Sequence, residues 1–143
     1  MGLHGASNSF EQHHQLMSIA YVYGNADLEV DSLPIRIIPQ LARARPDWHF
    51  EFRDPLDEWA EVPNPLVIID TVRGLEKVQI FTDLTPFADA PRVSLHDLDL
   101  LAHLQLLQKL GKLKNLTLIG VPPSLTPDEA VRQISAALPS TSR

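Results

Sequence analysis

Residues 66–70 read LVIID, a run of four apolar residues, three of them β-branched, that ends at an aspartate. A continuous apolar run of this length is typical of a strand in a parallel sheet, because helices cover such strands on both faces. The preceding residues 54–65 are rich in turn-forming and acidic types, which favours a short strand that starts after a loop. We therefore predict a buried central strand over Leu66–Asp70, with an α/β fold around it.

Four more segments, on either side of this run, are predicted as strands. Residues 17–23 (MSIAYVY) and 116–121 (LTLIGV) are short and apolar, His49–Phe52 alternates in polarity, and Val78–Phe81 is the fourth. Together with the central run they predict a sheet of about five strands.

The first of three predicted helices lies between the first two strands. Apolar positions recur at helical spacing over residues 31–45, and Asp31 or Ser32 is the expected N-cap. Pro34 falls in the first turn, where a missing N–H costs little, whereas Pro39 lies deeper and should kink the helix.

The other two predicted helices lie on either side of the last strand. Ser94 and Asp97 begin the second helix in a capping-box pattern, and Gly111 ends it. Thr126 caps the third helix, which runs to Leu138. Because strands alternate with helices, the sheet should be mostly parallel and open, between two helix layers, which is a three-layer α/β/α fold.

The length of 143 residues predicts a single domain, which we place at residues 17–138, with 139–143 as a tail. Residues 1–16 are polar and are interpreted as a disordered extension or a cloning remnant. They contain no apolar stretch and so do not fit a secretory signal. We therefore expect a cytoplasmic protein. We also expect it to be a monomer.

The composition excludes several classes of function. Twelve Lys and Arg stand against 18 Asp and Glu, and the net charge of −6 argues against binding to nucleic acid or to an anionic membrane surface. No apolar run approaches the ~18 residues of a membrane span. The chain has no cysteine, which excludes disulfides, thiolate nucleophiles and iron–sulfur clusters.

Candidate functional residues follow the predicted strands. In parallel α/β sheets, ligands bind beyond the carboxyl ends of the strands, and Asp31, Asp70 and His96 all lie after strands in the sequence. Two carboxylates and an imidazole are suitable ligands for a divalent metal and leave positions open for water or substrate. The three residues are therefore a candidate metal and catalytic site.

Each of these residues also has an ordinary structural interpretation. Asp31 is a suitable helix cap, Asp70 can cap the turn after its strand, and His96 can be a surface or hydrogen-bonding residue. The sequence pattern alone leaves both interpretations open.

Four short motifs occur in one order along residues 17–138. They are a strand ending in Gly-Asn with a Leu and a carboxylate after it, an apolar strand with a closing Asp, a Ser-x-His-x-Leu-x-Leu segment, and a Leu-x-Leu-x-Gly-Val-x-Pro strand end. Their residues are Gly24, Asn25, Leu28 and Asp31; Asp70 and Gly74; Ser94, His96, Leu98 and Leu100; and Leu116, Leu118, Gly120, Val121 and Pro123. In this ordered set the chain resembles the nickel–iron hydrogenase maturation endopeptidases.

The resemblance implies a function and a site. Members of the family are aspartyl-type endopeptidases that cleave a C-terminal extension from the hydrogenase large-subunit precursor once nickel is inserted. The matched residues Asp31, Asp70 and His96 would bind a divalent metal, which the family's substrate is thought to present as its own nickel. The expected partner is therefore the large-subunit precursor.

The chain departs from the family pattern at three places. Val30 replaces the first of two paired acids, Leu33 and Pro34 occupy a usually glycine-rich helix start, and the segment after Pro123 is short. These departures motivate an alternative, a non-catalytic, chaperone-like protein that binds the precursor on the same scaffold.

A phosphoacceptor receiver domain is a further alternative, since it is also a small α/β domain with aspartates at the strand ends. Receiver domains need a lysine after the fifth strand, and residues 121–123 here are Val-Pro-Pro. The sequence therefore disfavours this class.

Overall fold

The structure is a computed structural model. It describes residues 18–54, 57, 59, 61–88, 93–95 and 98–141. The strands of this part are β1 Ser18–Val22, β2 Trp48–Phe52, β3 Leu66–Arg73, β4 Gln79–Phe81, β5 Ser94–Leu95 and β6 Leu116–Val121. The helices are α1 Glu29–Arg36, α2 Ile38–Ala44, α3 Leu98–Lys109 and α4 Pro127–Ala137, with a 3₁₀ turn at Thr85–Phe87. The predicted extension, residues 1–16, lies outside the described residues.

The sheet confirms the predicted fold class. Its strand order is β2-β1-β3-β6-β4, and β1, β2, β3 and β6 pair in parallel. The short strand β4 runs antiparallel to β6, and the two-residue strand β5 runs antiparallel to β3. The central position belongs to β3, whose side chains are buried from Leu66 to Val72, as the LVIID run predicts.

Two apolar clusters cover the two faces of the sheet, which makes the fold three-layered. One joins the sheet to α1, α2 and α4 and the other joins it to α3. The first contains, among others, Ala20, Val22, Leu33, Leu41, Val67, Ile69, Ile119 and Ile134. The second contains, among others, Tyr23, Leu66, Ile68, Val72, Leu95, Leu100, Leu104 and Leu118. Alternate residues of β3 enter opposite clusters, as the two-residue period of a strand requires.

The first predicted helix is two helices, and its predicted cap is wrong. The helix α1 begins at Glu29, with Leu28 as its N-cap and no side-chain capping bond, so Asp31 lies inside the helix and not at its boundary. Ile37 separates α1 from α2, and Pro39 lies in the first turn of α2. The expected kink at Pro39 is therefore a full break, because its ring cannot continue the preceding helix.

The helix α3 begins later than predicted. Ser94 is not its cap, since Ser94 and Leu95 form β5, and α3 starts at Leu98. Its end is as predicted: Gly111 has a φ of 71°, and the amide of Lys112 donates to the Leu107 carbonyl at 2.9 Å. This is the Schellman arrangement that a glycine after a helix favours.

The last helix carries the cap that the sequence predicts, and its end is bonded to Arg45, the residue that follows α2. The Thr126 hydroxyl accepts from the amide of Glu129 at 3.2 Å. At the other end, the Arg45 guanidinium donates to the carbonyls of Ser135, Leu138 and Pro139. These bonds satisfy carbonyl groups that a helix end leaves without internal partners. In the described part of the chain, no helix has the length and apolar character that a membrane crossing needs.

Candidate active site at the carboxyl ends of the strands

Asp70 lies on the central strand, at the edge of the sheet formed by the carboxyl ends of the parallel strands. Its own strand, β3, continues past it. Parallel pairing of β3 with β1 extends to Ile69, and pairing with β6 extends to Thr71. Beyond this point β3 continues to Arg73 as an antiparallel ribbon with β5. The prediction that the strand ends at Asp70 is therefore wrong, but the parallel pairing of β3 ends within one residue of Asp70 on either side.

Asp31 reaches the same edge through a tight turn after β1. The amide of Tyr23 donates to the Ile69 carbonyl at 2.9 Å, which holds the end of β1 beside Asp70. Two residues later, the amide of Asn25 donates to the backbone carbonyl of Asp31 at 3.1 Å. The structure thus brings two of the three predicted site residues to one edge.

Glycine and asparagine at positions 24 and 25 have a physical reason in this turn. A Cβ atom on Gly24 would stand 2.6 Å from the Asp31 carbonyl oxygen, so only glycine lets the two backbones approach this closely. The Asn25 side chain accepts from the amide of Asp27 at 2.9 Å, an Asx turn that shapes the loop. The Gly-Asn motif therefore positions the helix that carries Asp31.

Both carboxylate residues are buried. Asp31 is 2% exposed and Asp70 is fully buried, whereas the other Asp, Glu, Lys and Arg residues that the structure describes are half-buried or exposed. Transfer of a carboxylate out of water costs free energy unless the protein or a ligand compensates it. Buried acids at the carboxyl edge of a parallel sheet are therefore more typical of a functional site than of a structural cap.

His96 lies outside the described residues, so its place in the site stays a prediction. Leu95, which precedes it, pairs with Val72, two residues beyond Asp70. Within the described residues, no group of three His, Cys, Asp or Glu side chains could hold a metal ion. Asp31 and Asp70 are thus the part of the predicted ligand set that the structure describes.

Tyr23 directly follows β1, and Arg53 directly follows β2, where its amide donates to the Val22 carbonyl of β1 at 2.9 Å. The sequence does not predict either residue as a neighbour of the site. Tyr23 is fully buried, and burial raises the pKa of its hydroxyl, against the opposing effect of the Arg53 guanidinium. Arg53 stacks 4.5 Å above the ring of Tyr21 and pairs with Glu51 at 3.0 Å. A cationic side chain and a buried phenol therefore lie near the carboxyl-end edge, where the sequence analysis identifies no tyrosine or arginine.

The raised pKa of Tyr23 predicts a loss of stability at alkaline pH. A group whose pKa rises on folding stabilises the fold fully below its unfolded pKa, about 10 for tyrosine, and loses this effect as the pH rises towards the folded value. We expect the unfolding free energy of the wild type to fall faster above pH 10 than that of Tyr23→Phe. The excess slope should approach ~1.4 kcal/mol per pH unit.

Urea unfolding at pH 8 to 11.5 measures this difference, with Tyr21→Phe as the matched control. The control retains Tyr23 and should retain the wild-type slope. Equal slopes for the wild type and Tyr23→Phe would contradict the prediction.

The fold and the site together define a class: a three-layer α/β/α domain with two buried carboxylates at the carboxyl edge of its parallel strands. Among solved structures, the chain is similar to the hydrogenase maturating endopeptidase HybD from E. coli, with a TM-score of 0.52 and 22% sequence identity. The match covers 85% of this chain and 92% of that chain, and it shows the shared fold. No model of a known protein family matches the chain, and no curated protein does so.

Proposed function

We propose that the protein is an endopeptidase that removes the C-terminal extension of a nickel–iron hydrogenase large-subunit precursor after nickel insertion. The observation that carries the proposal is the pair of buried carboxylates, Asp31 and Asp70, at one edge of a fold shared with HybD. The four ordered motifs of the sequence support it. The proposed setting is the cytoplasm, with the protein acting as a monomer.

In this proposal Asp31, Asp70 and His96 bind the nickel that the precursor carries. Carboxylate oxygen and imidazole nitrogen are donors that divalent metals accept, and without a cysteine the chain offers no thiolate to retain free nickel tightly. A metal bound there supplies Lewis-acid polarisation of the scissile carbonyl or acidification of a water molecule. The chain's own contribution is to hold the two carboxylates at fixed positions through β3 and the Gly24 turn.

The experiment incubates the protein with the nickel-loaded precursor of a hydrogenase from the same organism and follows the precursor's intact mass. We expect the precursor to shorten by the mass of one C-terminal segment, and the nickel-free precursor to stay intact. If no cognate precursor is shortened under these conditions, the proposed activity is wrong.

The second candidate is a non-catalytic, chaperone-like protein that binds the precursor. Val30 favours it, because this exposed residue in the first turn of α1 stands where the resemblance leads one to expect an acid. A stable complex without shortening of the precursor would support binding alone. Turnover of many precursor molecules by one protein molecule would exclude it.

A further inference from the structure

A groove lies at the end of the sheet opposite to the buried carboxylates, and neither Asp31 nor Asp70 is among its described lining residues. Its cavity has a volume of about 470 Å³, and its lining includes Asn64, which lies just before β3, and Lys114, which lies just before β6. The groove is therefore at the amino ends of these strands. From Leu66 to Asp70 the strand spans about 13 Å at ~3.3 Å per residue, so the groove and the buried carboxylates are separate sites.

The walls of the groove are aromatic and apolar. The Trp59 indole meets the His103 imidazole edge-on, with ring centroids 4.9 Å apart, and the buried side chain of Leu107 lies beside them. Trp59 also packs on Tyr21 with centroids 5.6 Å apart, which holds the indole in place before any ligand arrives. A preformed apolar wall in a cavity of this size is typical of small-molecule sites.

The mouth of the groove is cationic. Three of the chain's four lysines lie within residues 109–114, and two of them, Lys112 and Lys114, line the groove. Neither forms a salt bridge within the described residues, and Glu61 is the acidic side chain of the lining. The lining of the groove thus carries two lysines and one glutamate, an excess of positive charge in a chain whose net charge is −6. This local excess favours a negatively charged ligand.

His103 adds a polar group to the apolar wall. Its Nε2 atom is buried and has no hydrogen-bond partner in the described part of the chain. Most buried polar atoms in proteins are satisfied, and exceptions concentrate where a ligand, an ion or a functional role completes them.

We propose that this groove binds a small molecule with a planar apolar body and a carboxylate or phosphate group. The body lies against Trp59 and Leu107, and the anionic group meets Lys112 and Lys114. The inference rests on the groove alone and does not depend on the proposed peptidase activity.

The test titrates the ¹⁵N-labelled protein with 2-naphthoate, 2-naphthyl phosphate and neutral 2-naphthylmethanol. We expect saturable NMR shifts at the Trp59 indole and at the amides of Gly111 and Lys112, with at least ~10-fold tighter binding of one anion than of the alcohol. The Trp48 indole, which donates to the Pro139 carbonyl away from the groove, serves as the internal control and should not shift. Whichever anion binds more tightly defines the chemical class of the ligand.

Variants separate charge recognition from general effects of the helix end. Lys112→Gln combined with Lys114→Gln should weaken binding of the anions at least tenfold and leave the alcohol unchanged. Lys109→Gln is the matched control, because Lys109 is the last residue of the helix that precedes both lysines but does not line the groove. Equal affinity for the alcohol and the anions, an unchanged affinity in the double variant, or no saturable shift at the groove would overturn the proposal.

Discussion

Replacement of Asp70 by Asn is expected to slow precursor processing on the order of 10³-fold, and Asp31→Asn should have the same effect, because residues of one catalytic unit fail together. Asn has nearly the shape of Asp but lacks the negative charge, so its neutral amide oxygen would hold a divalent metal much more weakly than the carboxylate. Stability should change little, by about 1 kcal/mol or less, because the replacement removes a charge whose burial is costly. Initial rates of precursor shortening and urea unfolding measure the two effects.

Exposed acids of the same region provide the control for this result. Asp27 lies in the turn before α1 and Glu29 is the first residue of α1, and both are exposed. Asp27→Asn and Glu29→Gln should process precursor within about twofold of the wild-type rate, because the substitution of exposed charges changes little. If the variants at the buried positions retain wild-type rates, the carboxylates have no role in the reaction. If they unfold instead, their role is structural.

The central strand and the layering are predictable from sequence because they depend on local pattern. The run at residues 66–69 is apolar on both faces, and a central strand between two helix layers buries both faces. The same reasoning places Thr126 as a cap, since its side chain bonds a neighbour three residues away. Structural features that depend on residues close together in the sequence can therefore be predicted from the sequence.

The wrong predictions concern features set by distant residues. Ser94 is of a residue type that is favoured at helix N-caps, but its pairing with Arg73 makes it part of a two-residue strand. Asp31 also resembles a cap, but α1 begins two residues earlier because the Gly24 turn fixes where the helix starts. In both places a tertiary contact overrides a local preference of modest size.

The candidate site also combines residues that the sequence predicts with residues whose position depends on distant contacts. The carboxyl-end rule brings Asp31 and Asp70 to one edge without any knowledge of side-chain contacts. The neighbouring Tyr23 and Arg53 could not be found in this way, because their surroundings depend on which face of β1 each approaches and on the packing of Trp59. A tyrosine or an arginine directly after a strand carries no signal of a nearby function in a single sequence.

Gly24→Ala is expected to impair the site by displacing the backbone of Asp31. The added Cβ would stand 2.6 Å from the Asp31 carbonyl oxygen and 3.0 Å from the Ile35 Cδ1 atom, so the backbone of α1 must move. Overpacking of this kind costs about 1–3 kcal/mol of unfolding free energy. A displacement of the Asp31 backbone by about 1 Å should also reduce processing on the order of 10²-fold, since catalytic geometry tolerates little movement.

Gly111→Ala separates this effect from the general cost of replacing a glycine. Gly111 has a φ of 71° and open space where a Cβ would stand, so alanine there brings backbone strain of about 1–2 kcal/mol and no clash. It should therefore lose comparable stability and keep the wild-type processing rate. Because the two variants are matched in stability, a difference in rate between them reports the position of Asp31. Equal rates would mean that the turn at Gly24 stabilises the fold without positioning a residue that the reaction uses.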